Sequence, residues 1–180
     1  NTPLRVLFGS DLGTAEGIAT RLAQEGTERG YSVVLGALDD HVGDLPGDGA
    51  SILVSSSYNG LPPANAKEFC KWLNDPPADQ RPTGAPYAVF GCGNTEWAAT
   101  YQAVPILLDT KLSELGGRRI HPRGEGDVRS DFDAQYRAWH DSLWSDLAST
   151  LDLPASAADP AAVGPRLSIS LVNRQKTNPV

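Results

Sequence analysis

Residues 9–17 read Gly-Ser-Asp-Leu-Gly-Thr-Ala-Glu-Gly, GSDLGTAEG. An apolar run at 4–8 enters this stretch. Ile18, Ala19, Leu22 and Ala23, apolar at one-face helical spacing, follow it. A loop between a strand end and a helix start gathers backbone N–H groups at the positive end of the helix dipole, which suits an anion. Gly13 allows close backbone approach, and the Ser10 and Thr14 hydroxyls add donors. The loop holds no Lys or Arg, so it lacks the GK[ST] of a Walker A motif, and its glycines miss the GxGxxG spacing of a dinucleotide site. A lone phosphate monoester, held by backbone and hydroxyls, fits it. Asp11 is acidic beside a dianion, so its carboxylate is expected to turn away or to cap loop backbone.

The strand-then-helix pattern repeats outward from this loop. Residues 31–38 and 51–55 are strand candidates, joined by a polar, Gly-rich connection over 39–49. Helix spacing returns at Ala66, Phe69, Cys70 and Leu73 and stops near Pro76-Pro77. A fourth strand, 87–90, is closed by Gly91. Val104, Leu107, Leu108, Leu112 and Leu115 form a helix that ends at Gly116-Gly117. A short fifth strand around Arg119 and Ile120 leads into a polar loop. One last helix carries Phe132, Tyr136, Trp139, Leu143, Leu147 and Leu151, with Ser130 and Asp133 as a capping pair. Strict alternation predicts an α/β fold, a five-stranded, doubly wound parallel sheet with helices on both faces. Ligands on such sheets lie beyond the carboxyl ends of the strands, where the strand order reverses.

Two further loops leave strand ends. Residues 55–66 read SSSYNGLPPANA and residues 90–102 read FGCGNTEWAATYQ. Tyr58 and Trp97 stand where exposed loops usually carry small polar residues. A flat heteroaromatic ring explains both, because stacking on π faces stabilises by roughly 1–3 kcal/mol per ring.

The formal charge of −7 argues against a nucleic-acid binder, which needs clustered Lys and Arg. It could steer a basic protein surface into contact. Cys70 and Cys92 make neither a disulfide framework nor a metal cluster, so a reducing, cytoplasmic setting is expected. No apolar run reaches the roughly 18–20 residues needed to span a bilayer. His41, His121 and His140 are dispersed and read as surface residues.

GSDLGTAEG resembles the phosphate loop of diflavin reductases, usually GSxTGTAE, and departs from it at Leu12, where the family often has a hydroxyl. The resemblance runs over about 2–153. It is closest to the flavodoxin-like domain of bacterial fatty-acid hydroxylases fused to a P-450-type haem domain. NTPL, SYNG, VFGCG and WA.TYQ.VP carry it. It implies a flavodoxin-like strand order of 2-1-3-4-5 and FMN as the cofactor. The implied contacts are Ser10, Asp11, Leu12, Gly13, Thr14 and Ala15 from the first loop. Ser55, Ser56, Ser57, Tyr58, Asn59 and Gly60 follow from the second. Gly91, Cys92, Gly93, Asn94, Trp97, Thr100, Tyr101 and Gln102 come from the third. Tyr58 and Trp97 would cover the two faces of the ring. The 58–65 loop is one residue shorter than the family's TYGEGDPTDN form.

The implied role is one-electron transfer from a reductase domain holding FAD and NADPH to a haem monooxygenase domain, in the same polypeptide. No side chain need act as acid, base or nucleophile. With no Lys or Arg in the three loops, and with Asp11 and Glu96 nearby, little positive charge favours the anionic, fully reduced flavin, so its formation is expected at low potential. Residues 1–153 are expected to be the FMN domain and 154–166, rich in Ala, Pro, Ser and Asp, a linker. Residues 167–180, where Leu167, Ile169 and Leu171 alternate with other residues, would open the following FAD/NADPH domain; the alternative is a strand added to this sheet's own edge. Two other functions share the fold. A self-contained quinone reductase would use the same pocket, and a phosphoacceptor module would need strand-end aspartates where Gly9-Ser10 and Phe90-Gly91 stand.

Overall fold

The computed structural model describes residues 1–160. Strand β1 (Pro3–Gly9) is central, with Leu4, Val6 and Leu7 fully buried. It pairs in parallel with β2 (Ser32–Ala37) on one side and β3 (Ala50–Ser56) on the other, and β3 pairs in parallel with β4 (Pro86–Gly93). The last position is shared by two short parallel strands along β4. These are β5 (Arg118–Arg119), opposite Pro86 and Tyr87, and β6 (Gly124–Asp127), opposite residues 90–93. The expected order 2-1-3-4-5 is the observed one. Strand β6 lies where a polar loop was expected. Its glycines are the reason: a Cβ on Gly124 would come within 2.6 Å of Phe90 and Trp139, and one on Gly126 within 2.4 Å of Phe132. Close packing there excludes the apolar side chains that announce a strand.

Side-chain alternation along the strands fills two cores. Leu4, Val6, Ile52, Val54, Ala88 and Phe90 meet helices α1 (Thr14–Glu28), α4 (Phe132–His140) and α5 (Leu143–Thr150) on one face. Leu7, Leu53, Tyr87 and Val89 meet α2 (Lys67–Asn74) and α3 (Ala103–Glu114) on the other. Because β1 connects toward β2 while β3 connects toward β4, the loops after β1 and β3 diverge and leave a crevice at their carboxyl ends.

Three expectations change. The last helix is two, broken at Asp141 and Ser142, and its cap is Asp131 rather than Ser130. Asp131 Oδ1 accepts the Ala134 N–H at 3.1 Å, the N-cap-to-N3 bond one residue later than expected. His121 is buried rather than a surface residue, its ring nitrogens 2.6 Å from Asp146 Oδ2 and 2.7 Å from Trp139 O. The expected linker begins with a helical turn, α6 (Ala155–Ala158), which buries Ala157 and whose Ala158 carbonyl accepts from Arg29 Nε at 3.2 Å. The rest of that stretch and the expected strand at Leu167, Ile169 and Leu171 lie outside the described residues.

Candidate cofactor site

The N–H groups of Ser10, Asp11, Leu12 and Gly13 all have partners within the protein, and the start of α1 behind them is left without a side-chain cap. Ser10 Oγ accepts the Gly13 N–H at 2.9 Å, which shapes the turn into α1 and leaves the hydroxyl hydrogen available. Gly13 is the N-cap of α1 and has no side chain to offer, so no side chain caps this helix. A 15-residue helix whose N-terminus lacks a side-chain cap is an anion site in waiting. Asp11 turns away, as its charge requires: its Oδ1 accepts the Ala64 N–H of the second loop at 2.9 Å. Ala15 is fully buried under the loop.

The second loop folds back as a hairpin. Tyr58 and Leu61 exchange backbone hydrogen bonds at 2.9 Å across Asn59 (φ 53°) and Gly60 (φ 79°), the positive-φ pair that a type I′ turn demands. The Tyr58 hydroxyl accepts from both Asp11 N and Leu12 N at 3.2 Å, so the aromatic ring and the first loop are held as one piece. Ser57 Oγ accepts the Val104 N–H at 2.9 Å and thereby caps α3 from outside it. Ser55 is wholly buried, its hydroxyl donating to Ser56 O at 3.0 Å.

The third loop runs over the end of β4. Gly91 is required there: a Cβ would lie 1.8 Å from Gln102 Oε1. Gln102 is buried at a left-handed φ of 59°; its Nε2 donates to Gly91 O at 3.1 Å, while its Oε1 has no hydrogen-bond partner. Trp97 is 59% exposed, which is unusual for so large an apolar surface. Burial pushes the Cys92 thiol up to about 12, so it is a neutral wall group rather than a nucleophile.

The three loops close on one cleft of about 360 Å³. Leu12 and Thr14 line it from the first loop and Ser56, Ser57, Tyr58 and Asn59 from the second. The third contributes Cys92, Gly93, Asn94, Trp97, Thr100, Tyr101 and Gln102. Ser10, Asp11, Gly13, Ala15, Ser55, Gly60 and Gly91 are not among the residues that line it. Sequence reading missed four contributors. Val128, just after β6, lines the mouth. Asn65 pairs with both backbone groups of Ser10, accepting its N–H at 2.9 Å and donating to its carbonyl at 3.3 Å. Asp127 and Thr95 tie the third loop to β6.

No charged side chain is among the lining residues, so the cleft offers hydrogen bonds and π surface rather than acid–base groups. A cation from outside the three loops reaches this rim: Arg129 Nη1 is 3.5 Å from Glu96 Oε1, which offsets part of the acidity expected there. Among the described residues no cluster of His, Cys, Asp and Glu could hold a metal ion, and no helix is long and apolar enough to cross a membrane.

Known proteins are similar to this chain in sequence and in fold. The pattern of the flavodoxin family matches residues 6–139. The bifunctional cytochrome P-450/NADPH–P-450 reductase 2 of Bacillus subtilis (strain 168) is 42% identical over 179 residues, covering 99% of this chain and 17% of that protein. Reductase 1 of the same organism is 47% identical over 154 residues, covering 85% of this chain and 14% of that protein. The chain therefore spans about a sixth of the length of these relatives. Oxidised flavodoxin 1 from Bacillus cereus superposes with a TM-score of 0.66 at 18% identity, covering 82% of this chain and 98% of that one. Sheet order, the crevice where that order reverses and the matched pattern agree, and the chain belongs to the flavodoxin family.

Proposed function

We propose that this chain binds FMN and passes electrons singly from an FAD- and NADPH-binding reductase domain to a haem monooxygenase domain of the same polypeptide. In this reading residues 1–153 are the FMN domain, 154–166 join it to the next, 167–180 open the reductase domain, and the whole works in the cytoplasm. Bound FMN supplies the redox chemistry, since its ring takes up an electron pair and releases it one electron at a time.

The residues fit that group. The bare N-terminus of α1, with the Ser10 and Thr14 hydroxyls, suits a phosphate monoester. Tyr58 and Trp97 offer aromatic faces at the same cleft, whose volume lies within the roughly 300–1,000 Å³ of small-molecule sites. Ser56, Ser57, Asn59 and the Cys92–Asn94 backbone would hold the sugar-like chain and the polar ring edge, and the neutral lining would keep water and stray charge from the ring. The single observation that carries the reading is the meeting of an uncapped helix N-terminus and a largely exposed Trp at one cleft. The names of the relatives, P-450/NADPH–P-450 reductases, support haem and NADPH at the two ends of the transfer.

The test is electron counting. The FMN-loaded chain, chemically reduced without oxygen and mixed with an oxidised haem protein, should reduce about two haems per flavin. The same chain given NADPH in place of the chemical reductant should stay oxidised. Reduction of the flavin by NADPH alone, or no transfer to haem, would contradict the assignment.

A further inference from the structure

The turn that carries Trp97, Thr95–Thr100, buries none of its side chains. Apolar packing, which fixes most loops, therefore cannot place it, and the work falls to hydrogen bonds. Within the loop, Asn94 Oδ1 accepts the Glu96 N–H at 2.8 Å, and Trp97 N donates to Asn94 O at 3.0 Å, leaving Trp97 at a non-helical φ of −103° and ψ of 59°. These bonds give the turn its shape but do not attach it to the sheet.

Attachment comes from Asp127, the last residue of β6, 6% exposed and paired in the sheet with Gly93. Its carboxylate accepts from Thr95 N at 3.1 Å, from Thr95 Oγ1 at 2.8 Å and from Arg129 N at 3.0 Å, filling three of about four acceptor positions. Its own N–H donates to Gln135 Oε1 at 2.7 Å, which anchors it to α4. Burial pushes the carboxyl up, and the Arg129 and Thr95 bonds more than reverse that, holding it below its ordinary 3.8. It is thus an ionised acceptor whose bonds are of the charge-assisted kind. The other tie, Arg129 to Glu96, joins two side chains more than half exposed and adds little.

We infer that Asp127 is a positioning residue for the cofactor, holding the Trp97 turn against β6 so that the indole stands over the cleft. The inference rests on the FMN reading above and concerns a residue that touches no cofactor itself. Asp127→Ala frees the turn, and the stacking contribution of Trp97 goes with it.

A double-mutant cycle on the apo-chain, titrated with FMN and followed by flavin fluorescence, tests this. Asp127→Ala should weaken FMN binding about tenfold in the parent background. In a Trp97→Ala background the same change should cost less than about twofold, because the group it positions is gone. Thr95→Ala keeps the carboxylate and the fold and removes one of its bonds; it should weaken FMN about threefold in the parent and hardly at all without Trp97. Equal factors in both backgrounds, or unchanged affinity in Thr95→Ala and Asp127→Ala, would overturn the inference while leaving FMN binding intact. A parent that binds no FMN would overturn the cofactor reading, and this inference with it.

Discussion

Trp97 and Gly91 show how far single residues decide the site. Removing the indole takes away one stacking face but no core contact, since Trp97 is largely exposed. Trp97→Ala should weaken FMN binding by about 1–3 kcal/mol, a rise in Kd of roughly fivefold to 150-fold, with the melting temperature unchanged. Equal flavin retention in mutant and parent would remove Trp97 from the site. Gly91 behaves oppositely. A methyl there meets Gln102 Oε1 at 1.8 Å and Pro105 at 2.5 Å, so Gly91→Ala should destabilise the apo-chain by about 1–3 kcal/mol in a denaturant titration. Residues of both kinds drew notice in the sequence, Trp97 as an aromatic in a loop and Gly91 as the close of an apolar run, although β4 continues past Gly91 to Gly93. Asp127, Thr95 and Asn65 did not. A carboxylate or amide that braces a loop looks like any solvated polar residue until its partners, 32 or 55 positions away, are brought beside it.

Among the elements, those with strong apolar periodicity were readable and those held by polar or glycine contacts were not. Helices α1 and α3 and the four long strands follow from spacing alone. Strand β6 escaped notice because its inward positions are Gly124 and Gly126, packed against Trp139 and Phe132. The break between α4 and α5 escaped because the apolar pattern runs through it. Across that break His140 and Trp144 both reach α1: His140 Nε2 lies 2.5 Å from Glu25 Oε1, and Trp144 Nε1 donates to the same oxygen at 2.9 Å. Burial pushes the Glu25 carboxyl up, but the His140 and Trp144 bonds outweigh this and hold it below its ordinary 4.5. A carboxyl lowered by folding stabilises the protein above its ordinary value, and that contribution is lost as pH falls through the folded value. Glu25→Gln should therefore melt below the parent at neutral pH, by about 1–2 kcal/mol, and the gap should close as pH falls below 4.5. A gap independent of pH would show that the ionised form is not what binds α4 and α5 to α1.

For the whole molecule, the doubly wound parallel sheet and the choice of rim were legible, since alternating strands and helices admit few topologies and ligands on them gather at one end, while the strand order followed from the resemblance of the first loop to a known family. The chain spans about a sixth of the length of its relatives, and the proposed role draws its electrons from a separate reductase domain. Loaded with FMN and given NADPH and a quinone, the chain alone should show essentially no turnover; sustained NADPH oxidation would favour a self-contained quinone reductase. The proposed electron transfer depends on the cleft accepting one flavin mononucleotide. Titrating the apo-chain into FMN and following flavin emission measures that directly. One-to-one quenching, by contact of the ring with Tyr58 and Trp97, is the predicted result, with riboflavin binding more weakly for want of its phosphate. Emission that stays unchanged at saturating protein would contradict it.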